Sequence, residues 1–490
     1  MRTHFTRLFV ALVILSTTAI FGVPAKAAVL CGPWCTGNGG PQGRFGAQMA
    51  FDPGARLTVL FGGCVKLTST SETITLTDGT TKMLTQGRCA PTDNLNDVWT
   101  YDGATNSWLP ITPSGTAPFA RRQGAMSYDY VSHSLILFGG LYDTNTTTAP
   151  PSADASLCFG AGADGIAGVS SVVDSSTGTT LSSYCFNDTW QLKYASGSWT
   201  WTKLNPTSRP TTRFDIAMTY DRNGHPTMVG GCHQMGMVGA HGFPTTPTYW
   251  DCNDYPAFGT HEPEHTETWQ LTWIGSTPSW TWAGCSVQEP EGHDPCAPNE
   301  IRGASVAFDG ASRQIVMYGG YYYTPTSSYN GYQGDTWVFD GTQWVRKERT
   351  GAHDQFCPRL QPLTAWSVMA PIWLTNKWQV LHYGGLGKYG SQTTCDPTAD
   401  LSVQVSQKSY RWDSTNCVTV YNSSFSPTDY VCWWNETHET PGPHFAASAA
   451  YDFVNGKLVL FGGLTCLTCT DGSPLTYYYA TSPTPDPCGC

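Results

Sequence analysis

Five arginines and a histidine stand at matching places in this chain. Arg44, Arg121 or Arg122, Arg213, Arg302, Arg359 and His444 each come shortly before a short apolar segment. A guanidinium fork suits carboxylates and phosphates. Gathered at one place, such a set makes a positive funnel in a chain whose net charge is −11, fit for an anionic ligand or an acidic partner segment. The same arginines serve equally well as braces to neighbouring carbonyls and carboxylates. The expected ligand-binding set is Arg44, Arg122, Arg213, Arg302, Arg359 and His444. Histidines cluster at His225, His233, His241, His261 and His265, and residues 261–265 spell H-E-x-x-H. That motif binds zinc only on a helix, where both imidazoles share a face. Pro263 inside it argues against a helix, so no metal site and no cofactor is expected.

All 18 cysteines lie after the first 27 residues. An even count in an exported chain reads as a disulfide framework. Plausible neighbours are Cys64 with Cys89, Cys158 with Cys185, Cys232 with Cys252, Cys285 with Cys296, and Cys417 with Cys432. Export is expected from residues 1–27. Arg2 and Arg7 precede a mostly apolar run, and Ala25-Lys26-Ala27 fits a cleavage signal. That run is short for a span of ~20 residues, and no later run is long enough, so no membrane span is expected. The acidic balance disfavours nucleic acid. Four Asn-x-Ser/Thr sequons, at Asn145, Asn187, Asn422 and Asn435, matter only where exported chains are glycosylated.

The elements that must position these residues come as a repeat. An apolar strand ending in Gly-Gly recurs at 57–63, 135–140, 226–231, 314–320, 379–385 and 457–463. Five of the six follow a strand ending in aromatic-Asp: Asp52, Asp129, Asp221, Asp309 and Asp452. Tryptophan strands come next, with Trp99 then Trp108, Trp190 then Trp199 and Trp201, Trp269 then Trp280, Trp337 then Trp344, and Trp412 then Trp433. This pattern closely resembles the kelch repeat. The resemblance implies an all-β, kelch-type β-propeller, with six four-stranded blades around a central channel. The glycines let backbones approach where a side chain would clash, and the tryptophans pack between blades. The repeats exceed a compact unit of ~50 residues, and the excess falls mostly in loops between second and third strands. Those loops and the blade-to-blade loops emerge on one face, the expected ligand surface.

The expected organisation is a signal peptide at 1–27, one propeller over 28–481, and a Pro/Cys-rich tail at 482–490 that cannot be a strand. The last repeat lacks an outer strand, and residues 28–34 are expected to supply it. Cysteines near both ends (Cys31, Cys35, Cys466, Cys469, Cys488, Cys490) are candidates for locking the ring. Galactose-oxidase-like copper enzymes share the resembled fold, but the motifs around their tyrosine and histidine ligands are absent here. The iron motif E-x-x-x-D-x-x-x-H of nitrile-specifier-like proteins is also absent. The leading expectation is a monomeric, extracytoplasmic protein that binds a protein segment or a glycan on its loop-rich face. Tyr249, Trp250, Tyr321, Tyr322 and Tyr323 are candidates for stacking. An exported enzyme or an adhesion protein is the alternative.

Overall fold

The computed structural model describes residues 34–36, 40–76, 79–145, 150, 154–159, 169–232, 235–237, 250–252, 267–283, 301–322, 331–332, 334–348, 363–388, 403–405, 409–421, 427–435, 441–466, 469–481, 484 and 486–488. The fold is the expected all-β propeller. Among the described residues there are six four-stranded antiparallel sheets. From the inner strand outward, sheet 1 is Gln48–Asp52, Leu57–Cys64, Asn94–Asp102 and Ser107–Ile111. Sheet 2 is Ala125–Asp129, Ser134–Phe138, Thr189–Ala195 and Ser198–Leu204. Sheet 3 is Ala217–Tyr220, Pro226–Val229, Thr268–Ile274 and Thr277–Trp282. Sheet 4 is Ser305–Asp309, Gln314–Tyr318, Thr336–Phe339 and Trp344–Glu348. Sheet 5 is Val368–Leu374, Lys377–Tyr383, Ser409–Trp412 and Trp433–Asn435. Sheet 6 is Ser448–Asp452, Lys457–Phe461, Thr476–Ala480 and, from the other end of the chain, Trp34–Thr36. Each inner strand adjoins that of the next sheet, and sheet 6 adjoins sheet 1.

The repeat residues hold this arrangement by short-range chemistry. Each inner-strand Asp caps the turn that follows: Asp52 accepts from Ala55 N, Asp129 from Val131 N and Asp309 from Ala311 N, at 2.9 to 3.0 Å. Sheet 5 lacks this Asp because its hairpin turns on Thr375 and Asn376, both at positive φ, a two-residue turn that needs no cap. Pro371 sits inside that inner strand, where the edge toward the channel needs no N–H.

Sheet-to-sheet junctions use the Gly-Gly pairs. The second glycine donates its N–H to the next sheet: Gly63 to Arg121 O (2.9 Å), Gly140 to Arg213 O (2.8 Å), Gly231 to Ile301 O (3.2 Å), Gly385 to His444 O (2.8 Å) and Gly463 to Arg44 O (2.9 Å). At the first glycine the fit is tighter still. Gly462 has φ +75°, and a Cβ there would lie 2.2 Å from Arg44 O. Outer-strand tryptophans rivet sheets 1, 3, 4 and 5 each to the sheet before it. Trp108 Nε1 donates to Thr476, Trp280 to Thr189, Trp344 to Thr268 and Trp433 to Thr336, at 2.8 to 2.9 Å. Several of the same rings pack on the aromatic residue before a Gly-Gly pair, Trp108 on Phe461, Trp280 on Phe138 and Trp433 on Tyr318.

Disulfides join Cys64 to Cys89, Cys158 to Cys185 and Cys417 to Cys432. The first two tie excursions between second and third strands. The third ties the excursion between third and outer strands of sheet 5, which leaves from the opposite face, so the long loops do not all share one face. Cys466 pairs with Cys469, so these two do not lock the chain ends together. Cys285, Cys296, Cys31 and Cys490 lie outside the described residues. Among the described residues no helix is long and apolar enough to cross a membrane.

Candidate functional site

The loop-side mouth of the channel is built from one residue per sheet, two positions before each inner strand. Gly46, Gln123, Asp215, Gly303, Trp366 and Ala446 all have left-handed backbones, with φ between 52° and 62°. Each donates its N–H to the carbonyl of the same residue in the preceding sheet. Gln123 donates to Gly46 (2.7 Å), Asp215 to Gln123 (2.9 Å), Gly303 to Asp215 (3.1 Å), Trp366 to Gly303 (2.7 Å), Ala446 to Trp366 (2.9 Å), and Gly46 to Ala446 (2.9 Å). The result is a closed circle of backbone hydrogen bonds. Beneath it lies a cavity of about 90 Å³ among inner-strand residues that include Met49, Met126, Met218 and Met369.

Side chains of this circle make the site. Gln123 Nε2 donates to Asp215 Oδ1 at 2.5 Å. Trp366 Nε1 also lies against the Asp215 carboxylate. Burial pushes the Asp215 carboxyl above its ordinary range, although Arg302 and Arg122 pull the other way. Arg302 lies over two rings, 5.1 Å from the centre of Tyr321 and 5.6 Å from that of Trp366. Those rings are stacked with centroids 6.1 Å apart at 27°. Tyr321, Trp366 and Arg302 are all half-buried, so the stack is partly open to solvent. Arg122 donates to Gln123 Oε1 and, at 2.6 Å, to Asp143. Burial raises Asp143, but Arg122 and Arg88 outweigh it and hold this carboxyl below its usual range.

The expected cation set divides here. Arg44 is 1% exposed, with Nη2 on Asp97 at 3.0 Å and Nη1 on Gly62 O at 3.0 Å. Arg121 is 0% exposed and repeats this on Asp188 and Gly139 O. Arg213 repeats it on Glu267 and Gly230 O. Each carboxylate also accepts the indole N–H of the Trp two residues on, Trp99, Trp190 or Trp269. These guanidinium groups are committed within their own sheets, which makes Arg44 and Arg213 braces. Arg121, not Arg122, is the residue in register with them. Arg302 is one position out of register, because Ile301 occupies the bracing place in sheet 4, and this offset puts Arg302 at the mouth. His444 takes the bracing place in sheet 6, 3% exposed, with Nδ1 3.3 Å from Tyr383 Oη; burial lowers its pKa. Arg359, His233, His241, His261, His265, Tyr249 and Tyr323 lie outside the described residues. Among the described residues no three His, Cys, Asp or Glu side chains are grouped to hold a metal ion.

No protein-family model matches the sequence, and no curated protein does. Solved structures that it resembles include that of YjhT, at TM-score 0.46 and 13% identity, covering 89% of this chain and 95% of that one. Another is a fungal alcohol oxidase of the AA5 family in complex with copper, at TM-score 0.41 and 13% identity, covering 91% of this chain and 79% of that one.

Two features escape the sequence reading. The circle residues share a backbone conformation but no residue type, so no motif marks them. The tail also does more than end the chain. Asp486 accepts from Tyr130 Oη at 2.6 Å, Arg313 donates to Cys488 O at 3.0 Å, and Thr484 N donates to Phe453 O at 2.9 Å. Hairpins of sheets 2, 4 and 6 thus hold the tail across the far end of the channel.

Proposed function

We propose that this chain is an extracytoplasmic binding protein that holds a glycan or a protein segment at the loop-side mouth of its channel. The Tyr321–Trp366 stack beside Arg302 and Asp215 supports this reading most. A half-buried aromatic platform offers contact area at low conformational cost. The adjoining carboxylate, amide and guanidinium supply acceptors and donors that fix orientation. Trp366 strengthens the case. A bulky side chain at φ +54° is a backbone outlier, and such strain concentrates where a site is being held. Export is supported by the apolar N-terminal segment and by the disulfides.

A carbohydrate-active enzyme is the second reading, favoured by one observation. A buried carboxyl whose pKa is raised, as at Asp215, keeps its proton to higher pH than a free one and so suits a general acid. One experiment separates the two. Purified protein is applied to a glycan array and to a peptide library, with Trp366→Ala and Asp215→Asn beside wild type. Binding lost in Trp366→Ala and kept in Asp215→Asn, with no product formed, supports the binding protein. Product formed by wild type but not by Asp215→Asn supports the enzyme. Binding unchanged in Trp366→Ala removes the mouth as the site.

A further inference from the structure

The segment after the second strand of sheet 6 runs Leu464-Thr465-Cys466-Leu467-Thr468-Cys469. Its two cysteines form a disulfide that spans 3 residues, against 25, 27 and 15 for the others described. Constraint of the unfolded chain grows with loop length, so this bridge stabilises the fold least. Cys469 N also donates to Cys466 O at 3.2 Å, so a backbone hydrogen bond joins the same two residues as the bridge.

Cys469 packs against a buried cluster of Phe45, Cys64, Cys89 and Leu464. Both cysteines are half-buried, and Cys466 follows the exposed Thr465. The Thr465 hydroxyl lies 3.5 Å from Cys469 Sγ, placed to donate to a thiolate there. Lys66, paired with Asp471 at 3.5 Å, adds a cation beside the same loop. A half-buried C-x-x-C pair with a hydroxyl donor beside one sulfur is the arrangement that thiol–disulfide exchange needs.

We propose that Cys466–Cys469 is an exchange site that accepts two electrons from a partner dithiol. One thiolate of the partner attacks Cys466 Sγ. A new S–S bond forms there, the Cys466–Cys469 bond breaks, and Cys469 leaves as a thiolate that the Thr465 hydroxyl stabilises. The partner's second thiolate attacks the partner sulfur of the mixed disulfide and releases Cys466. The partner ends oxidised to a disulfide, this chain ends as a dithiol, and the partner's two protons pass to the cysteine sulfurs or to solvent.

The test uses the intact protein in graded dithiothreitol, with alkylation and peptide mass mapping of each cysteine. Cys466–Cys469 is expected to open at a dithiol concentration about tenfold or more below that needed for Cys64–Cys89 or Cys158–Cys185, with melting unchanged. Cys469→Ser should trap a mixed disulfide on Cys466 when offered oxidised glutathione, and Thr465→Val should slow exchange without shifting the melt. Opening together with the other bridges overturns the proposal. So does a lower melting temperature in the Cys466→Ser/Cys469→Ser variant, which would make the bridge a staple.

Discussion

The backbone N–H of Gly46 donates to the carbonyl of Ala446 at 2.9 Å, and this contact joins the first sheet to the last. Two other contacts cross the same seam, Gly463 N to Arg44 O and Trp108 Nε1 to Thr476, and Trp34–Thr36 completes the last sheet by pairing with Thr476–Ala480. Closure removes the exposed edges that an open fan of sheets would carry. It also fixes the mouth, because the six residues of the hydrogen-bonded circle can keep their positions only if the ring is complete. The site and the seam are one structure.

Arg121 and Arg302 should therefore respond differently to the same change. Arg121→Met leaves Asp188 buried without its cation, a change that costs about 3–5 kcal/mol. Arg302→Met removes a half-buried guanidinium stacked on two rings, and should cost about 1 kcal/mol while abolishing ligand capture. Urea unfolding and a binding assay on both variants check this. Equal destabilisation would make Arg302 a brace like the others.

Gly462 and Gly197 make a second matched pair. Both are left-handed, at φ +75° and +80°. Nothing lies within 4 Å of a Cβ at Gly197, whereas one at Gly462 meets Arg44 O at 2.2 Å. Gly197→Ala should cost about 1–2 kcal/mol, the conformational penalty alone. Gly462→Ala should cost about 3 kcal/mol or more, because the junction between sheets 6 and 1 must open. Thermal melts of the two proteins decide it.

What the sequence made legible follows from this physics. Gly-Gly, aromatic-Asp and Trp mark positions where one residue type alone fits, so they repeat visibly. The braces were half legible. Asp97, Asp188 and Glu267 each stand two residues before a Trp, and their arginines each stand four residues before an inner strand. Counting from the strand start would have separated Arg121 from Arg122 and shown Ile301 in place of an arginine. Asp335 keeps the acidic place in sheet 4 without that arginine and lies 3.7 Å from Arg346 instead. The mouth was not legible, because Gly46, Gln123, Asp215, Gly303, Trp366 and Ala446 answer to a backbone angle and not to a side chain. Asp486 meets Tyr130 only through the tertiary fold, beyond the reach of any local pattern.

His382 predicts an acid limit. It is 1% exposed, edge-on to Tyr318 at 4.9 Å, and burial lowers its pKa to about 3. A depressed histidine contributes stability above its ordinary pKa, and that contribution is lost as pH falls from about 6.5 toward 3. At pH 4 the loss amounts to about 3 kcal/mol. His444, also lowered by burial, adds in the same direction. Denaturant midpoints of wild type should fall between pH 7 and pH 4, and those of His382→Phe should fall less. A parallel decline in both proteins would place the acid sensitivity elsewhere.

The tail should act as a stopper for the channel. Pro487 and Cys488 are buried, and Asp486 holds Tyr130 within a set of tyrosines that includes Tyr220. Burial raises the Asp486 carboxyl above its ordinary range. With a raised pKa, its favourable contribution is complete below about pH 4 and is lost as pH rises through the folded value. Asp486→Asn, which keeps an acceptor for Tyr130 and carries no charge, should dock the tail more firmly at neutral pH. Asp486→Ala should loosen it. Met49, Met126 and Met369 are all under a tenth exposed, so their oxidation by peroxide reports an open channel. The expected order of oxidation rates is Asp486→Ala fastest, wild type next and Asp486→Asn slowest. If Asp486→Asn oxidises as fast as Asp486→Ala, the ionised carboxylate itself holds the tail and burial does not raise its pKa.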